Sequence, residues 1–114
     1  MREVLTCKIH NATVTQAELS YIGSITIDEE LMERIDLWEG QKVLVVSNTS
    51  GNRLETYVIK GPKGSGVICM NGAASHLIKK NEEVIIIGFE FSTKPITEPK
   101  CILVNNENKF VRFL

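Results

Sequence analysis

Little in this chain suits metal or disulfide chemistry. There are two histidines, His10 and His76, far apart in sequence, and three cysteines, Cys7, Cys69 and Cys101, none in a C-x-x-C pair. No recurrent zinc spacing is present, and no metal is expected. An odd number of widely separated cysteines describes reduced thiols in a cytoplasmic protein rather than a disulfide framework. Charge of one sign is also missing. Thirteen Lys and Arg face fourteen Asp and Glu, a net charge of −1, which argues against nucleic acid or an anionic membrane as partner. No apolar run approaches the roughly 20 residues of a membrane helix. The longest, "VIIIGF" at 84–89, suits a buried strand, and "MREVLTCKIH" at the start has no apolar signal core.

Hydrophobic residues at 43% and charged residues at 24% of 114 fit one soluble globular domain over 1–114. Val, Ile and Thr fall in short runs, which favours strands. "REVLTCKIH", "SITID", "KVLVVSN", "RLETYVIK", "VICM" and "EEVIIIGFEFS" read as strands, and "CILVNNENKFVRFL" as two more around a turn. "NTSGNR" closes a hairpin between its neighbours, and "GPKGSG" reads as a second hairpin loop without the ending of a phosphate loop. Thr15 with Glu18 three residues on predicts a helical turn with a capping box. Asp28 before "EELMERI" predicts an N-capped short helix. Trp38 and the phenylalanines read as core or interface. The pattern predicts a mainly β fold of six to seven strands with two or three short helices, and a small closed barrel. No internal repeat, linker or low-complexity tract is visible.

Four segments could carry chemistry. In "YIGSITID" at 21–28, Gly23-Ser24 is either a turn or a site of self-cleavage. A serine hydroxyl can attack the carbonyl before it and convert the amide to an ester. Glycine there leaves the carbonyl uncrowded and tolerates strain. Elimination and hydrolysis would then leave a terminal pyruvoyl group. In "KIH", Lys8 and His10 share a strand face, either solvated or holding a carboxylate. In "RLETY", Arg53, Glu55 and Tyr57 share a face; Arg53 offers a planar cationic fork and Tyr57 a proton. Leu54 and Thr56 lie on the other face. In "NGAA" at 71–74, small residues open a short helix with free N–H groups, and Asn71 could bond a reacting carbonyl. Each has an ordinary structural reading as well.

Together these segments, in this order and spacing, resemble the aspartate 1-decarboxylase family, the pyruvoyl enzymes of pantothenate synthesis. The likeness runs from about residue 4 to residue 91. It implies a double-psi β-barrel and cleavage into 1–23 and 24–114. It also implies a homotetramer with active sites between subunits and L-aspartate as substrate, with neither metal nor pyridoxal phosphate. By resemblance Ser24 becomes the pyruvoyl group, which takes the substrate amine as a Schiff base. Tyr57 matches the proton donor. Lys8 and Arg53 would hold carboxylates, and Thr56, Gly72, Ala73 and Ala74 would contact substrate. Gly23, Tyr21, His10 and Asn71 match residues of processing or of the pocket. Ile25 stands where some members carry cysteine. The rival expectation is a non-catalytic barrel that serves as a binding or assembly module.

Overall fold

Strand β1 (Arg2–Thr13) and strand β2 (Gln16–Glu18) are one extended path broken only at Val14-Thr15, and this path closes the wall of the protein. The computed structural model describes residues 1–114. The remaining elements are β3 (Ser24–Asp28), α1 (Glu29–Arg34), β4 (Lys42–Ser47), β5 (Arg53–Gly61), β6 (Ile68–Asn71), α2 (Ala74–Leu77), β7 (Glu83–Ser92), β8 (Lys100–Val104) and β9 (Phe110–Phe113). The strand order is β2-β6-β3-β5-β4-β7-β1-β8-β9. Because β2 continues β1, the pairings return on themselves through β6, β3, β5, β4 and β7. Strands β8 and β9 lie outside that ring.

The ring has a two-fold that the sequence does not show. Strand β2 runs parallel to β6 as β5 runs parallel to β3, and β1 is antiparallel to β7 as β5 is to β4. The antiparallel pairs β3–β6 and β4–β7 map onto themselves. Helix α1 follows β3 as α2 follows β6. Two interleaved crossed parallel pairs make this mainly β fold a double-psi β-barrel.

Three expectations are corrected. The strand count is nine, above six to seven. One reason is that residues 16–18 form a strand rather than a helical turn. The Thr15 hydroxyl donates to the Ile68 carbonyl and accepts from the Ile68 N–H, both at 3.0 Å. It therefore ties the path to β6 instead of capping a helix. "GPKGSG" is not a hairpin loop, because β5 and β6 do not pair; both flank β3. Of the two readings given to the aromatics, core or interface, exposure of Trp38, Phe91 and Phe113 on the single chain leaves interface.

Alternation along the strands sends Ile9, Ile25, Ile27, Val43, Val45, Met70 and Ile86 into one core of 20 buried residues. Two polar side chains brace it. Asp28 caps α1 at Glu30 N (2.9 Å) and also accepts from the N–H groups of Gly64 and Gly66, both at 2.8 Å. The 62–66 connection is thereby folded onto the end of β3. Asn108 is fully buried; its amide donates to the carbonyls of Thr13 and Gly66 and accepts from Thr13 N, each at 2.8 Å. It fastens the β8–β9 turn to the same end.

Asp28→Ala would leave three backbone N–H groups without their charged acceptor. Hydrogen bonds to charged groups are worth roughly 1.5–3 kcal/mol each, so the variant is expected to lose about 3 kcal/mol or more. Urea unfolding reads this directly. A loss under about 1 kcal/mol would show that water replaces the carboxylate.

Candidate active site

Ser24 opens β3 and is fully buried. Antiparallel pairing sets it opposite Asn71, the last residue of β6. The Asn71 Nδ2 donates to Ser24 Oγ at 2.8 Å, and Ser24 Oγ donates in turn to the Ile22 carbonyl at 3.4 Å. A fully buried serine hydroxyl held by a side-chain amide is thus built into the end of the barrel wall.

Gly72 makes this placement possible. Its φ is +62°, and a Cβ there would lie 2.7 Å from Gly23 N and from the Tyr21 carbonyl oxygen. The 71–74 turn therefore packs its bare backbone on the 21–23 turn, and the Gly72 N–H donates to Glu18 O at 2.8 Å. Gly23 itself differs from expectation. It does not adopt the left-handed region, and a Cβ there would meet only the Asn71 carbonyl oxygen, at an ordinary 3.8 Å. The close approach is met on the Gly72 side, not at Gly23.

The cleft beside Ser24 follows from unequal strand lengths. The pairing of β3 with β5 begins at Ile25 and Val58. Residues 53–57 of β5 pair with β4 on one side and have no strand on the other. The gap is a cleft of about 400 Å³. Gly23, Ser24, Thr56, Tyr57, Ala73 and Ala74 line it, together with Leu54, Glu55 and Leu77. Thr56 and Tyr57 both reach it although they alternate along the strand, because the cleft runs along the open strand edge. Helix α2 is a single turn with no side-chain cap, so it adds small residues rather than a strong dipole.

The other predicted residues lie elsewhere on the chain. Lys8 and His10 share a face of β1, as alternation predicts, and line a separate groove of about 700 Å³ with Glu98, Lys100 and Cys101. Arg53 is exposed at the start of β5, opposite Val46, and lines neither space. Tyr21 is exposed at the turn before Gly23. Burial, and after it the Lys8 charge, lowers the His10 pKa from the ordinary histidine value.

The sequence reading passed over Thr26, Cys69 and Glu55 as site residues. Thr26 Oγ1 accepts from Asn71 Nδ2 at 2.9 Å, and Cys69 Sγ donates to Asn71 Oδ1 at 3.1 Å. Glu55 lines the cleft and pairs with Lys42 at 2.9 Å. Strand alternation carries the signal for the first two, since Thr26 follows Ser24 by two residues and Cys69 precedes Asn71 by two. No group of three or more His, Cys, Asp or Glu side chains is placed to hold a metal ion, and no helix is long and apolar enough to cross a membrane.

Fold and site place the protein in a class, small β-barrels with a largely apolar cleft, edged by hydroxyls, beside a buried serine internal to the chain. The particular family follows from comparison: the profile of aspartate decarboxylase matches residues 1–111, and the chain belongs to that family. Similar proteins include aspartate 1-decarboxylase of Bacillus cereus, 47% identical over 99% of this chain and 91% of the relative. That of Caldicellulosiruptor bescii is 51% identical over 96% and 88%, and that of Acetivibrio thermocellus 52% identical over 91% and 85%. Among solved structures, the computationally designed msDPBB_sym2 protein aligns with 76% of this chain and 99% of its own, at a TM-score of 0.47 and 18% identity.

By NMR, the His10 imidazole is expected to titrate below the ordinary 6.5. Lys8→Met should raise that midpoint only part of the way, because burial is the larger cause. Since the folded value is depressed, the stability His10 contributes is complete above about pH 6.5 and is lost as pH falls toward the folded value. A midpoint at or above 6.5 would contradict this account of the groove.

Proposed function

We propose that the chain cuts itself between Gly23 and Ser24, into residues 1–23 and 24–114. The pyruvoyl group formed from Ser24 then serves to decarboxylate L-aspartate to β-alanine and carbon dioxide, which supplies pantothenate and coenzyme A synthesis. Membership of the family supports the reaction. The observation that carries the chemistry is the buried Ser24 hydroxyl, held by Asn71 at the wall of a cleft.

The residues fit such a group. It needs no atoms beyond those of Ser24 and water, and Ala73 and Ala74 leave room beside it. In its formation Ser24 Oγ adds to the Gly23 carbonyl carbon, and its proton passes to the departing nitrogen, so the amide becomes an ester. Loss of the Ser24 α-proton expels the Gly23 carboxylate, and water then replaces the amine, releasing ammonia. The atoms balance without a further reagent. Glycine at 23 leaves the carbonyl uncrowded by a side chain, and Asn71 holds the attacking oxygen in one rotamer. Once formed, the group supplies an electron sink for loss of carbon dioxide.

Tyr57, at the cleft, stands as the proton donor to the substrate's α-carbon. Thr56 contacts substrate and takes part in processing, and the Gly72–Ala74 backbone shapes the pocket. Tyr21 shapes the turn that is cut. Lys8 and Arg53 hold the substrate's carboxylates, with His10 beside Lys8. A cation left unpaired by a monoacid would be costly, which selects a diacid. In one chain, however, Lys8 and Ser24 line different spaces. A site that uses both draws on two copies, which fits a homotetramer with sites between subunits. Exposed Ile22, Trp38 and Phe91 are apolar surface of the kind such contacts cover.

Co-expression tests this reading. Ser24→Ala and Lys8→Ala chains should each lack carbon dioxide release from aspartate. Mixed in one oligomer they should recover activity, because some sites then combine an intact Ser24 with an intact Lys8 from another copy. Random mixing of a symmetric assembly predicts about a quarter of wild-type activity. Absence of any recovery in verified mixed oligomers would overturn the shared site. An active Lys8→Ala chain would overturn the role of Lys8.

A further inference from the structure

Ser24, Asn71, Thr26 and Cys69 form a square of side chains across two paired strands. The antiparallel register sets Ser24 opposite Asn71 and Thr26 opposite Cys69. The Asn71 amide links the other three through both of its N–H groups and its oxygen. Its two N–H groups go to Ser24 Oγ at 2.8 Å and Thr26 Oγ1 at 2.9 Å, and its oxygen accepts from the Cys69 thiol at 3.1 Å. Ser24, Asn71 and Cys69 are all buried.

A side-chain amide has two faces of opposite polarity, and only one presents a donor to Ser24. Rotated by half a turn, Asn71 would set its oxygen against both hydroxyls and its two N–H groups against sulfur, a weak acceptor. The thiol keeps the proton that the observed arrangement requires: burial, and after it the Glu18 carboxylate, push Cys69 above its ordinary value. The orientation matters at Ser24. With Nδ2 donating, Ser24 Oγ sends its own proton toward Ile22 O, a long contact of 3.4 Å, and keeps a lone pair free. With Asn71 rotated, the amide oxygen would draw that proton and turn the hydroxyl toward itself.

The geometry points to Cys69 and Thr26 as positioning residues for processing, which fix the Asn71 amide with its donor edge toward Ser24. Neither touches the bond that is cut; both act through Asn71. The inference rests on the self-cleavage reading above and adds to it the residues that orient the nucleophile.

Paired substitutions separate donor chemistry from packing. Cys69→Ser keeps a donor, and Cys69→Val keeps the apolar volume without one. Thr26→Ser keeps the acceptor, and Thr26→Val keeps the shape without it. Full-length chain is captured uncut by brief cold expression, and cleavage is followed by intact mass under denaturing conditions. Thermal midpoints are recorded alongside. Loss of one hydrogen bond predicts cleavage roughly three- to ten-fold slower in both valine variants, with both serine variants within about two-fold of wild type. If serine and valine variants slow alike, or neither slows, while wild type splits, the inference is overturned. It is overturned as well if rates merely follow the thermal midpoints. A folded wild-type chain that never splits would instead remove the self-cleavage reading itself, and this inference with it.

Discussion

The contact on which the site depends is backbone against backbone. Gly72, at φ +62°, lies so close to Tyr21 and Gly23 that a Cβ would come within 2.7 Å of both main chains. No side chain fits between the two turns. Their closeness keeps Ser24 at the end of β3 in register with Asn71 and leaves Ala73 and Ala74 along the cleft. A bulkier residue at 72 would have to part the turns, and the buried hydroxyl, its amide partner and the pocket would separate together. The barrel supplies the rest of the constraint, since both turns hang from strands that pair directly.

The second feature is the separation, within one chain, of the Ser24 cleft from the cations. The cleft beside Ser24 holds the hydroxyls of Thr56 and Tyr57, and its one charged group is Glu55, paired with Lys42. The cations suited to a dicarboxylate lie apart, Lys8 in the β1–β8 groove and Arg53 on the open start of β5. An anionic substrate beside Ser24 therefore calls for positive charge from elsewhere. On the proposed function, assembly of copies would meet that need and would cover apolar residues such as Ile22 and Trp38, which stand exposed on the single chain.

The strands were legible because β-branched runs alternate cleanly, and the Asp28 cap because an acidic residue precedes an acidic first turn. Residues 16–18 were not, because the same Thr15-to-Glu18 spacing serves a helix cap or a strand edge, and pairing with β6 decides for the strand. The path from β5 to β6 was hidden because a glycine-rich loop looks alike whether its flanking strands pair or straddle a third. At the site, Gly23-Ser24 stood out chemically, yet the conformational demand falls on Gly72, which only the meeting of distant turns reveals. Thr56 was unreadable by face because the cleft follows a strand edge. The two-fold was invisible because it lies in the pairing, not in the residues.

On the proposed function, Ser24 gives up its place in an intact chain. Intact mass of the purified protein under denaturing conditions tests it most directly. Two fragments that divide after Gly23 are expected, the larger lighter by one ammonia than a chain beginning with serine. A single full-length mass that persists through warm incubation, with and without cell extract, would contradict it.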